Sequence, residues 1–334
     1  MSAERVIPML YPLKLDPVYK EPIWGGKRLR EIFGKDIPSD TTGESWEIAC
    51  HENGTSTVSN GVLKGKSLKE VIDEYGIEAL GTKIGEEGKK KFPLLVKIID
   101  ASDKLSVQVH PEDEYAKEHE GELGKTEMWI VLDAKPGAQL VYGLKPGVSQ
   151  EMFEEGIQKG TLENLLNFVD VQKGDVFFIP AGTLHAIGEG LLIAEIQQNS
   201  DTTYRVYDWN RVDGNGNSRE LHIQKALDVT NLSHCSGQEK VKGTIIKEGE
   251  NTRNHLVSCK YFITEILEVQ KESKETLNGE RFDLLMAIEG NGAIQYREGT
   301  VPFNAGDSFF IPAGMGDYSI LGPCKIIKTY VPVS

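Results

Sequence analysis

The chain contains no apolar run approaching the roughly 20 residues that a membrane-crossing helix needs. Its N-terminus, MSAERVIPMLYPLKL, lacks the long apolar stretch of a signal peptide, so the cytoplasm is its expected location. Cysteine is scarce. Cys50, Cys235, Cys259 and Cys324 stand far apart with no C-x-x-C, which excludes a zinc knuckle and a dense disulfide framework and predicts reduced thiols. Positive charge is also short, with 37 Lys and Arg against 51 Asp and Glu and a formal charge of -14. A general nucleic-acid or anionic-membrane surface is therefore excluded, and an anionic substrate would have to be a small one met by a local cluster of cations. Low-complexity tracts are missing. The GNGNS stretch at 214 to 218 has no apolar helix after it and reads as a turn rather than a nucleotide loop.

What the chain does have is many short β segments. FPLLVKIID, LSVQVH, EMWIVLDA, DVFFIP and LLIAEIQ are separated by Gly, Pro and Asp clusters. Few helices interrupt them. Ser67 and Glu70 form a capping-box pattern opening a helix to about Leu80, Pro111 starts a short one through Tyr115, and Ser149 caps a stretch carrying Met152, Phe153, Ile157, Leu162, Leu165 and Leu166.

Two segments nearly repeat each other. Residues 174 to 185 read GDVFFIPAGTLH and residues 306 to 317 read GDSFFIPAGMGD, identical at eight of twelve positions, which marks an internal duplication. Each is a strand ended by a Pro-Ala-Gly turn, after which the first copy presents His185 and the second Asp317. Short strands in two copies of one unit predict a mainly β protein of two jelly-roll barrels or sandwiches with a few inserted helices. The domains expected are 1–240 and 241–334, with the border between about Leu232 and Lys247, where SGQEKVKG turns polar and before strands resume at Tyr261.

In LSVQVHPEDEY, strand alternation puts Ser106, Gln108 and His110 on one face and Val107 and Val109 on the other. The same period aligns Lys125, Glu127 and Trp129. If both faces look into the first barrel, Gln108, His110, Glu127 and His185 converge as a mixed nitrogen and oxygen set. Such a set suits zinc, with manganese, iron, cobalt and nickel as alternatives. The other histidines, His51, His119, His222, His234 and His255, have no comparable context. Lys97, Lys125 and Arg205 are candidates for holding a phosphate, and Glu195, behind an apolar run, is either a buried paired carboxylate or a functional one.

These residues carry a resemblance that covers nearly the whole chain. EPIWGGKRL, GESWEIA, LSVQVHP, GKTEMW, IPAGTLHAIG and QNSDTTYRVYDW together resemble the type I mannose-6-phosphate isomerases in their short bacterial form, zinc enzymes of the cupin superfamily. The resemblance implies two cupin domains, the second degenerate, and one zinc ion per chain on Gln108, His110, Glu127 and His185. It implies a catalytic role for Arg205, Lys125 and Glu195, with the base either Lys125 or Glu195, and places Ser106, Lys97 and Arg205 at the substrate. The longer relatives' extra helical domain has no room here, so part of the substrate wall is expected from the 149 to 168 segment. The activity implied is interconversion of mannose 6-phosphate and fructose 6-phosphate through a cis-enediol. The competing readings are a non-catalytic sugar-phosphate sensor and a metal-dependent isomerase of another sugar. Partners implied are a small sugar phosphate, no nucleic acid and no membrane; oligomeric state cannot be read from one chain.

Overall fold

The computed structural model describes residues 10–212, 216–232 and 240–333. The first nine residues, His234, Cys235, part of the expected border segment and the start of the GNGNS turn lie outside them. The described chain is mainly β, and the strands of both units pair antiparallel. Among the described residues no helix is long and apolar enough to cross a membrane, and Cys50, Cys259 and Cys324 form no disulfide with one another.

Contacts group the chain into two compact units. The first barrel comprises Tyr19–Trp46 and Leu94–Lys242; the second comprises Met1–Val18, Glu47–Pro93 and Gly243–Ser334. One edge between the units falls at Lys242 and Gly243, and two N-terminal segments join the residues beyond it. The physical cause is strand pairing. Leu13–Asp16 hydrogen-bonds to Ser308–Ile311 on one side and Thr57–Val58 on the other, so the second barrel's sheet is completed by the start of the chain.

The first barrel faces one sheet against another. Its six-stranded sheet runs Val176–Ile179, Glu127–Ala134, Leu191–Gln198, Leu94–Ala101, Glu44–Ile48 and Val18–Lys20, and its five-stranded sheet runs Leu166–Asp170, Gln139–Leu144, His185–Ile187, Val107–Val109 and Tyr204–Tyr207. Between them lies an apolar core with Trp129, Phe177, Ile193 and Ile99 from one sheet and Leu140 and Ile187 from the other. The five-stranded sheet is apolar on its outer face too. There Val107, Val109, Val141 and Ala186 pack under Phe153 of the helix Gln150–Gln158 and Ala226 of the helix Ile223–Val229. Burying the outer valines fixes the inward direction of Gln108, because neighbours along a strand point to opposite faces.

Several local expectations hold and some shift. Ser67 and Glu70 form the capping box, but the helix Leu68–Tyr75 stops at Gly76, whose φ of 49° breaks it from Ile77–Leu80. Ser149 caps Gln150–Gln158, after which Leu162–Leu165 is one 3₁₀ turn and Leu166 already starts a strand. The short helix after Pro111 spans Asp113–His119. In the second barrel, strands begin at Thr244–Glu248 and Asn251–Ser258, before Tyr261; the first of these is exposed along its whole length, so no alternation announces it.

The duplicated turns also diverge. Gly174 and Gly306 share a left-handed φ, at 90° and 93°, but Gly182 is left-handed at 82° while its counterpart Gly314 is not. The second copy instead makes the 3₁₀ turn Ala313–Met315 and reverses at Gly316, which delays its next strand by one residue. Asp317 is therefore exposed, and Tyr318, not Asp317, opens the strand equivalent to the one His185 opens.

Candidate metal and substrate site

His185 opens its strand opposite Gln108, His110 follows Val107–Val109, and Glu127 opens Glu127–Ala134. His110 Nε2 lies 3.6 Å from Glu127 Oε2, and His185 Nε2 lies 3.4 Å from Glu127 Oε1. The Gln108 amide nitrogen is 3.4 Å from His185 Nε2. Four bonds of about 2.1 Å at the tetrahedral angle put donor atoms about 3.4 Å apart. The donor spacing fits one ion.

Protonation and hydrogen bonding fit as well. Burial first, and then Lys125, holds His110 well below the usual imidazole range, and burial lowers His185 to about 4, so both rings are neutral. His110 Nδ1 is 2.9 Å from the Thr202 carbonyl oxygen and His185 Nδ1 is 2.8 Å from that of Thr183. With both Nδ1–H groups donated to carbonyls, the Nε2 lone pairs face Glu127. Among the described residues, His110 Nε2 and both Glu127 oxygens are buried without a hydrogen-bond partner. A fully buried, unsatisfied carboxylate is costly, and burial, then the charge of Glu195, pushes Glu127 up to about 8. A divalent cation would supply the missing partner for all three atoms. The Gln108 oxygen accepts from the Ser106 hydroxyl at 3.3 Å. A half-turn of that amide donates to Ser106 instead and presents the oxygen to the ion.

In front of this cluster lies a cavity of about 350 Å³ whose lining includes Lys97, Ser106, Gln108, Lys125, Glu195 and Arg205. All the substrate and catalytic candidates thus share one space. Lys97 sits 3.4 Å from Glu44 Oε2 and 3.5 Å from Glu195 Oε1, with its ammonium 4.9 Å from the centre of the Trp46 ring. Burial works against its charge, but Glu44 and then Glu195 raise it above the ordinary lysine value. Glu195 also accepts from Trp129 Nε1 at 2.9 Å, and the Lys125 ammonium stands 4.0 Å from Glu127 Oε2. Arg205 pairs with Gln108 across adjacent strands, donates from Nε to Ser106 at 3.3 Å and from Nη1 to the Glu220 carbonyl at 2.8 Å.

Glu44, Asp201 and Arg219 line the same cavity and were not singled out from the sequence. Glu44 lies in GESWEIA, where it shares a strand face with Trp46, a signal that was available. Arg219 lies in a polar stretch without periodicity and is held by two bonds to Asp208, at 2.8 and 2.6 Å, a pairing that only the fold reveals. The 149 to 168 segment does not line the cavity. Its apolar residues Phe153, Leu162 and Leu166 are spent on the outer face of the five-stranded sheet, against Val107 and Val109.

Two facing antiparallel sheets with a histidine, carboxylate and amide cluster on their inner strands define a protein of the cupin class with a group of side chains that could hold a metal. Residues 12–132 match the model of the phosphomannose isomerase type I catalytic domain, and residues 251–331 match that of the mannose-6-phosphate isomerase cupin domain. The chain belongs to the type I mannose-6-phosphate isomerase family. It is 41% identical over 322 residues to the Bacillus subtilis protein named mannose-6-phosphate isomerase ManA, covering 96% of this chain and 99% of that one. A Streptococcus mutans mannose-6-phosphate isomerase is 40% identical over the same shares of the two chains. The crystal structure of a Bacillus subtilis mannose 6-phosphate isomerase superposes with a TM-score of 0.89 at 41% identity, covering 96% of this chain and 100% of that one.

Proposed function

We propose that this chain is a zinc-dependent isomerase of the cytoplasm that interconverts mannose 6-phosphate and fructose 6-phosphate through a cis-enediol, with one ion on Gln108, His110, Glu127 and His185. The observation that carries this reading is the orphaned, buried donor set directly behind a cavity lined by Lys97, Lys125 and Arg205. All of these residues fall within the first barrel, which is the catalytic part of the chain; the second holds the degenerate repeat.

The reaction removes a proton from carbon 2 of the open-chain aldose and returns one to carbon 1, while the hydroxyl proton passes from oxygen 2 to oxygen 1 and the carbonyl moves from carbon 1 to carbon 2. Zinc, when bound, polarises the substrate oxygens as a Lewis acid. Lys125 as the neutral amine takes the proton from carbon 2 and, as the ammonium, gives it to carbon 1. Glu195 is less suited to that task, because Trp129 and Lys97 already engage its two oxygens. Its role is to hold Lys97 in place. Arg205 and Ser106, joined to each other and facing the cavity, bind the phosphate through charge-assisted hydrogen bonds.

The test is fructose 6-phosphate production from mannose 6-phosphate by the purified chain, before and after metal stripping and after zinc restoration. Turnover that disappears and returns with zinc is the expected result. A zinc-loaded, folded chain that binds mannose 6-phosphate without converting it would be a sensor and would end the proposal.

A further inference from the structure

The duplication allows the two barrels to be aligned strand by strand from hydrogen-bond register. Ile179 faces Glu127 in the first barrel, and its repeat counterpart Ile311 faces Asp283 in the second. His185 faces Tyr142 and Gln108; Tyr318 faces Tyr296 and Glu275. Asp283 thus stands at the position of Glu127, Tyr318 at that of His185, Glu275 at that of Gln108 and Leu277 at that of His110. Even the supporting serine is kept. Ser273 donates to Glu275 at 3.1 Å as Ser106 does to Gln108 at 3.3 Å.

One pair is inverted. In the first barrel Trp129 faces Glu195, which faces Lys97; in the second, Leu285 faces Lys328, which faces Glu265. The Lys328 side chain, 4% exposed, forms a short ion pair with Glu275 Oε2 and lies 3.2 Å from Asp283 Oδ2. The Tyr318 hydroxyl donates to that same Asp283 oxygen at 2.9 Å. Counterparts of three of the four donor residues of the first barrel therefore gather around an ammonium group. Arg253 neutralises the outer side of Glu275, at 2.6 Å, and Arg281 lies 3.5 Å from Asp283 Oδ1, a fully buried oxygen with no hydrogen-bond partner among the described residues.

We propose that the second barrel keeps the frame of a metal site with the Lys328 ammonium as its resident cation, and that shortening Lys328 uncovers a divalent-cation site made by Glu275, Asp283 and Tyr318. The donors are all oxygen, since leucine has taken the place of His110, so the site suits a hard ion such as manganese rather than zinc. A cavity of about 300 Å³ lined by Glu275, Tyr296 and Tyr318 among others gives the ion a way in. Removing Lys328 leaves two buried carboxylates one positive charge short, and a bound cation restores the balance.

The experiment is equilibrium dialysis against Mn²⁺ with the full chain. Lys328→Ala is expected to bind one more Mn²⁺ per chain than the unsubstituted protein, and Lys328→Ala combined with Glu275→Gln is expected to lose that extra ion. Because the readout is a difference, it stands whether or not the first barrel is loaded and does not depend on the proposed reaction. Lys328→Gln, which keeps most of the side-chain volume, covers the case in which the alanine variant does not fold. With zinc already saturating, added Mn²⁺ should raise its melting temperature and leave that of the unsubstituted chain unchanged. Equal Mn²⁺ counts in the variants and the unsubstituted chain, or an extra ion that survives Glu275→Gln, would overturn the proposal.

Discussion

Loading the first barrel with its ion should release a proton from one identified residue. In the metal-free chain burial, reinforced by Glu195, pushes Glu127 up to about 8, against 4.5 for an ordinary glutamate, while Lys125 and Lys97 offset only part of that rise. A group so raised is mostly protonated at pH 7 and mostly ionised at pH 9. An ion needs the carboxylate, so uptake should expel most of a proton per ion at pH 7 and little at pH 9. The histidines should add nothing above pH 6, because burial keeps His185 at about 4 and His110 well below its ordinary value.

The same values give the sign of the metal-free stability profile. A carboxyl whose folded value is raised contributes stability that is complete below its unfolded value and is lost as pH rises through the folded one, so Glu127 weakens the metal-free chain between about 4.5 and 8. His185, whose folded value is depressed, acts in the opposite sense and costs stability as pH falls from 6.5 toward 4. The assay is isothermal titration with zinc at pH 7 and 9 in two buffers of different ionisation enthalpy, repeated with Glu127→Gln. Release should vanish in that variant. Zero release from the unsubstituted chain at pH 7, or release unaffected by Glu127→Gln, would refute the reasoning.

Two further variants separate metal holding from chemistry. Lys125→Met should lower turnover by roughly a hundredfold to ten-thousandfold, the range of a positioned base, with zinc content unchanged; near-normal turnover measured at full zinc occupancy removes Lys125 from that role. Arg205→Lys cannot reproduce the fork that reaches both Ser106 and the Glu220 carbonyl, so kcat/KM should drop about ten- to a hundredfold, the loss of one charge-assisted hydrogen bond. Steady-state kinetics that match the unsubstituted chain would exclude that geometry from substrate binding.

Much of the candidate site was legible because it is written in strand alternation. Val107 and Val109 had to be buried on one face, which left Gln108 for the other, and the same period delivered Glu127. The duplication marked His185 as a residue that one copy kept and the other lost. What replaced it was not legible, since a one-residue shift at Gly314 and Gly316 decides between Asp317 and Tyr318, and both glycines are compatible with either turn. The acceptors that fix the imidazoles were hidden for another reason: they are the backbone carbonyls of Thr183 and Thr202, which any residue would supply. Arg219 is held at the cavity by Asp208, a partner eleven positions away with no regular element among the described residues between them. The pairing of Leu13–Asp16 with Ser308–Ile311 spans nearly the whole chain, and no local pattern encodes so distant a contact.

The inverted pair gives the last prediction its logic. In the first barrel Glu195 is held sideways by Trp129 and Lys97, which leaves the space beside Glu127 open for an ion; in the second, the lysine at the equivalent position extends into that space and neutralises the acids itself. A single exchange of charge between two neighbouring strands is therefore expected to convert the proposed metal-holding barrel into a self-neutralised one. Glu195→Lys should place an ammonium against Glu127 and abolish zinc binding, and adding Lys97→Glu should restore the buried ion pair and the thermal stability without restoring the metal. Glu195→Gln is the control, because it removes the carboxylate's charge yet puts no cation in the cavity, and it should keep its zinc. Metal content by mass spectrometry and melting temperature distinguish the cases. A folded Glu195→Lys, Lys97→Glu chain that still carries one zinc would show that the ion's place is set by the donors alone and not by the charge of the strand beside them.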